Sequence, residues 1–160
     1  MIRRNTRILS WAAIVVVVGA ALVLAESRVA PESGEPAIEF SEVRRQTLEF
    51  IAYDDSITLT PEQEAVKKEA LSAIPAPCCS DNTAETCCCP CNMAKSIWGL
   101  TKHLIADEGY SAVQVRKAVE GWIEFINPAG FSGDVCYTGG CRRPFHRNGC
   151  GGMDKTNVVF

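Results

Sequence analysis

No block of like charge runs through this sequence: acidic and basic side chains are interspersed and the formal net charge is −3. A basic stripe or tail of the kind that binds nucleic acid is therefore missing, and no nucleic-acid partner is expected. Other signatures are absent too. There is no C-x-x-C-H for covalent haem attachment, no Ser/His/Asp constellation and no paired-carboxylate site. No internal repeat is visible. Strand-like alternation and βαβ punctuation are lacking, which excludes a doubly wound sheet and leaves a mostly α chain.

What the sequence has in excess is cysteine, nine in 160 residues. It also has one long apolar run. After Arg3, Arg4 and Arg7, residues 8–25 are apolar apart from Ser10, passing through Ile14 to Val18. At about 1.5 Å per residue this run reaches about 27 Å, close to the thickness of a hydrocarbon core. Basic residues ahead and Glu26, Glu32 and Glu35 behind predict an inside N-terminus. Residues 8–25 are thus expected to engage the membrane within a signal anchor or signal peptide over residues 1–30. Val23-Leu24-Ala25 offers a cleavage site after Ala25. Either way the remainder is expected outside the cytoplasm, periplasmic or at the cell surface. It is either anchored by an N-terminal helix or released by cleavage.

Residues 31–38, with Pro31, Gly34 and Pro36, read as a linker to a helical domain over 39–128. Phe40, Val43, Thr47, Leu48, Phe50 and Ile51 predict a short helix that Asp54-Asp55-Ser56 interrupts. Thr60, Pro61 and Gln63 are the N-cap, first-turn proline and capping-box partner of a second helix. It is expected to run to about Ala73, turning Ala65, Val66 and Leu71 inward. Pro75 and Pro77 stop it. A third helix is expected from about Asn92 to Asp107, with Met93, Ile97, Leu100, Leu104 and Ile105 on one side. Ser111 and Gln114 cap a fourth, whose stripe is Val115, Val119, Trp122, Ile123 and Ile126. The last two helices are expected to form an antiparallel hairpin. Residues 129–160 read as an irregular Gly/Cys-rich tail.

Cysteines fall in three clusters: Cys78-Cys79, then Cys87-Cys88-Cys89-Pro90-Cys91, then Cys136, Cys141 and Cys150. The C-x-x-C of Cys88 and Cys91 directly precedes a helix. Unpaired amides and the helix dipole there favour a thiolate, which serves as a nucleophile or a ligand. Three functions follow from this crowding. In one, Cys88 and Cys91 are a catalytic pair exchanging disulfides with an exported protein thiol partner. In another, Cys78, Cys79, Cys87, Cys88, Cys89 and Cys91, with His146, bind a soft metal, copper or zinc, because vicinal thiols close poorly as disulfides but can share a thiophilic ion. In the third, disulfides staple a structural or interaction domain. Tail cysteines suit that role, although Cys136, Cys141 and Cys150, with His103, could add ligands in the second, and the loop 78–91 suits the first two. Nine is also odd, so disulfides within one chain leave a thiol over. His103 reads as a solvated or capping histidine.

The stretch from Cys88 to Asn127 resembles the small thiol oxidoreductase subunit of bacterial cytochrome c maturation. The likeness lies in the C-x-x-C ahead of a helical hairpin and in the Gly109-Tyr110-Ser111 link followed by Val113, Val115 and Val119. It implies that Cys88 and Cys91 keep apocytochrome thiols reduced. The chain departs from that family at Thr86-Cys87, at Asn127-Pro128 and in having no second membrane helix. A looser similarity, through Pro77-Cys78-Cys79 after the Thr60-Pro61-Glu62 helix, is to exported lipoproteins bearing a P-C-Y-C-G-C motif, and it points toward metal handling.

Overall fold

The structure, a computed structural model, describes residues 38–160. Four helices build it: α1 (Val43–Ser56), α2 (Pro61–Ser72), α3 (Asn92–Ala106) and α4 (Ala112–Ile126). Two 3-10 turns follow in the tail, Gly140–Arg142 and Phe145–Arg147. Among the described residues there is no strand beyond an isolated bridge between Pro75 and Thr83.

The expected architecture of a membrane helix joined to a helical domain needs correction. No helix among the described residues is long and apolar enough to cross a membrane. The longest have 15 residues, about 22 Å against a hydrocarbon core of about 30 Å. The apolar run 8–25 lies outside the described residues. The helical domain and its irregular tail are what the fold contains.

Local chemistry sets each helix. Thr60 and Gln63 form the reciprocal capping box of α2, with Gln63 N–H on Thr60 Oγ1 at 3.3 Å and Thr60 N–H on Gln63 Oε1 at 3.0 Å. Ser111 and Gln114 open α4 likewise. The apolar stripes predicted for α3 and α4 are buried, save that Ile123 is only half-buried. On α2 the inward residues are Ala70 and Leu71, while Ala65 is exposed. On α1 Leu48 is exposed as well. The helix also continues through Asp54-Asp55-Ser56 instead of breaking there. Lys102 holds it, donating to the Asp54 carbonyl at 2.6 Å and pairing with its carboxylate at 2.7 Å, and Ser56 Oγ donates to the Ala52 carbonyl.

The principal partner of α3 is α1, more than the neighbouring α4 that a simple hairpin implies. Gly99 explains this: a Cβ there would sit 1.7 Å from the Phe50 carbonyl oxygen, so the two backbones meet where only glycine fits. Trp122, fully buried, centres the aromatic core between Phe50 and Phe40, with ring centroids at 4.9 and 5.3 Å, and its indole N–H donates to Ser96 Oγ.

The tail is irregular but not peripheral. Val135, Phe145 and Cys150 are buried in the same core as the helices. Backbone bonds fasten it to the start of α3, with Asn92 N–H on Gly152 O at 2.9 Å and Met93 N–H on Cys150 O at 3.1 Å. The buried Asn92 side chain donates to Gly151 O and Asp154 O. Thus amides that a helix start leaves without an intrahelical acceptor find theirs in the tail. Gly151, at φ +75° and tight against the Phe145 ring, permits the approach.

Candidate metal centre

Cys91 is the N-cap of α3 and is completely buried. Its sulfur is hydrogen-bonded by the thiols of Cys150, Cys78 and Cys87, which together hold it well below the ordinary cysteine range, with the Ala94 amide adding a smaller contribution. A thiolate at a helix start surrounded by three thiols is the arrangement that stabilises one negative charge in a buried place. The three neighbours move the other way. Cys78 is raised, first by its hydrogen bond to Cys150, then by those to Cys87 and Cys91 and by burial. Cys150 is raised too. Its hydrogen bond with Cys78 lowers it, but the bond to Cys91, burial and the Cys91 charge prevail. Cys87 is pulled down by Cys78, yet Cys91 and burial prevail and push it up to about 11. Cys78 at 1 % exposure and Cys150 at 0 % are buried beside Cys91, and the sulfurs that lie within one ion's reach, the inner group, are those of Cys87, Cys89 and Cys91.

An outer group adjoins it. The sulfurs of Cys88 and Cys136 lie 3.8 Å apart, those of Cys89 and Cys136 3.7 Å, and those of Cys88 and Cys89 4.0 Å. Burial raises the Cys89 thiol, with hydrogen bonding to Cys136 and the charge on Cys91 adding to it. Burial also lifts Cys136, to about 11. Cys88 is exposed, and the other two are half-buried.

Cys89 links the groups, because the ligand atoms of Cys87, Cys89 and Cys91 also all lie within 4.8 Å of one another. Backbone bonds brace the junction: Cys136 N–H donates to Cys78 O at 3.0 Å and Cys91 N–H to Cys89 O at 2.8 Å. Trp98 Nε1–H on the Ala84 carbonyl pins the loop to α3, and Ser80 N–H on Asp134 Oδ1 pins it to the tail. Three sulfurs around a trigonal ion at a metal–sulfur distance of about 2.3 Å stand about 4.0 Å apart, and four around a tetrahedral ion about 3.8 Å. The outer separations match both. The cysteine clusters can therefore hold a metal ion.

The sequence-derived candidates are thus sorted. Cys87 and Cys91 belong to the inner group, Cys88 to the outer one and Cys89 to both, while Cys78 is buried beside Cys91. Cys88 and Cys91, the expected redox pair, keep different sulfur partners. Cys79 stands aside. Its thiol is held low by the Asn82 amide at 3.3 Å, helped by the Asp81 backbone and Tyr137. His146 is exposed and lines a cavity with Glu42, Ile126, Phe145 and Phe160 that contains no cysteine. His103 bonds Asp107 at 2.8 Å and stacks on Tyr53.

Of the tail cysteines, which sequence reasoning favoured as staples and allowed as added ligands, Cys136 completes the outer group and Cys150 is buried beside Cys91. The signal that marked them was the odd cysteine count together with clusters too crowded to pair locally. All nine thiols are free in this structure, so it contains none of the staples. A groove of about 600 Å³ beside Ile74, Pro77, Ile123 and Phe131 holds no cysteine either. No protein-family model, no curated protein and no solved structure matches the chain.

Proposed function

We propose that this chain binds a soft d10 cation through a polythiolate cluster, with Cu(I) the preferred occupant and Zn(II) the alternative. The observation that carries the reading is the sharing of Cys89 between two three-thiol groups. A sulfur placed in that way can bridge two ions, which thiolate clusters of Cu(I) require and which an isolated zinc site does not. Sulfur is the only donor type in either group, and thiolates select Cu(I) and Zn(II) over hard cations.

Disulfide exchange fits this geometry less well. It calls for an accessible, low-pKa thiolate facing its resolving sulfur. The thiols held low, Cys79 and Cys91, are both buried, and the exposed Cys88 neighbours Cys89 and Cys136 instead. Exposure and ionisation fall on different residues.

Reduced protein titrated with Cu(I) under argon is expected to take up at least one ion per chain and to develop thiolate-to-copper absorption in the near ultraviolet. Uptake of Zn(II) alone would assign the alternative occupant. Failure to bind either ion, by elemental analysis after gel filtration, would remove the reading.

A further inference from the structure

The two sulfur groups differ in one respect that bears on exchange. The inner one, Cys87, Cys89 and Cys91, ends at Cys91, which has no exposed surface and has the buried Cys78 and Cys150 beside it. The outer one opens to solvent through Cys88 and is rimmed by half-buried Cys89 and Cys136. An ion moving from solvent to the inner sulfurs meets the outer ones first. Cys89 is within ligand range of both sets, so it can stay bound to a moving ion while the ligands on either side are replaced. The backbone bonds from Cys91 to Cys89 and from Cys136 to Cys78 brace the outer rim beside the inner group.

We propose that Cys88, Cys89 and Cys136 form a loading site that receives Cu(I) from a thiolate donor and passes it, through Cys89, to Cys87 and the buried Cys91. The inference rests on the metal-binding reading and adds to it a route, an order and a partner chemistry. Each step is ligand substitution. The Cys88 thiol loses its proton as its sulfur–copper bond forms, one donor sulfur–copper bond breaks, and the released donor thiolate takes up a proton through water. Cys89 and Cys136 repeat the exchange until the donor is free. Cys91 and Cys87 then replace Cys136 and Cys88 around the ion. Each incoming thiol sheds its proton as its sulfur–copper bond forms, and each departing outer thiolate takes one up. Copper remains Cu(I) throughout, and no oxidant or reductant is consumed.

The test uses the full chain, loaded anaerobically with Cu(I) from a glutathione complex and stripped with a bathocuproine chelator in a stopped-flow instrument. Two classes of copper are expected, one removed quickly and one slowly. Cys88→Ser should slow loading by about tenfold or more, since even an outer-shell partner of a metal ligand is worth that much. Cys91→Ser should abolish the slow class while the fast one persists. Cys79→Ser, outside both groups, should load as the unaltered protein does. In the unaltered protein, alkylation mapped by mass spectrometry during stripping should appear at Cys88 and Cys136 before Cys91, a readout that needs no variant. Removal in a single phase, loading of Cys88→Ser at the unaltered rate, or alkylation in the reverse order would overturn the route while leaving the binding reading intact. Absence of any copper uptake would instead strike the binding reading itself.

Discussion

Replacing Cys91 by serine separates the two jobs this residue does. As the N-cap of α3 it has extended backbone angles, φ −72° and ψ 168°, and its sulfur makes no capping hydrogen bond by strict geometry. A serine hydroxyl there can accept from the amide three residues on, as Thr60 does in α2, and a good cap is worth about 1 kcal/mol. Against this stands the loss of the sulfur on which the Cys78, Cys87 and Cys150 hydrogen bonds converge. The metal-free variant is therefore expected to melt within a few degrees of the unaltered protein. The metal-loaded comparison differs. Free ion at about 1,000 times its dissociation constant adds about 4 kcal/mol to the unaltered fold. For a domain of this size that is about 15 °C in Tm. Without Cys91 the inner set loses its central ligand, and most of that rise should vanish. Paired thermal melts of both proteins, reduced and under argon, with and without Cu(I), measure the two quantities separately. A variant that keeps the full copper-induced rise would refute the inner group as a ligand set. One that unfolds without metal would refute the account of Cys91 as a replaceable cap.

Two further outcomes are expected. In the metal-free reduced protein, stability should peak near the ordinary thiol pKa of about 8.5. Cys91, lowered in the fold, contributes stability that is present above that value and lost as pH falls. Cys78, Cys87, Cys89, Cys136 and Cys150, raised in the fold, contribute stability that is present below it and lost as pH climbs toward about 11, the value reached by Cys87 and Cys136. Urea titrations between pH 7 and 11 that show stability rising steadily would contradict this. Gly99→Ala forces a methyl group onto the Phe50 carbonyl and should cost about 1–3 kcal/mol as α1 and α3 part. An unchanged urea midpoint would mean that the contact between the two helices is not tight.

How far the sequence reaches is clearest at α2 and α4. Thr60-Pro61-Glu62-Gln63 and Ser111 with Gln114 announce helix starts because capping is satisfied within four residues, and the structure contains both boxes. The α3 stripe was equally legible, since a 3.6-residue period records burial directly. Reading failed where burial is decided by something distant. Ala65 looked inward and is exposed, because only the end of α2 meets the core. Asp54-Asp55-Ser56 looked like a break and is helix, because Lys102, 48 residues away, neutralises and tethers Asp54.

The same division governs the sulfur centre. By itself the sequence determined that a crowded run of thiols would stand at the start of a helix, because Cys87 to Cys91 and the amphipathic stretch after them are adjacent in the chain. Only the tertiary structure decided which sulfurs share an ion's reach. From the tail, Cys136 enters the outer group and Cys150 comes to lie beside Cys91, 47 residues from Cys89 and 59 from Cys91, carried there by backbone bonds to Cys78 and Met93 and by glycines that let the tail close on the Phe145 ring. Ligand geometry depends on distances through space, and no spacing along the chain encodes a distance that a folded tail brings to 3.7 Å.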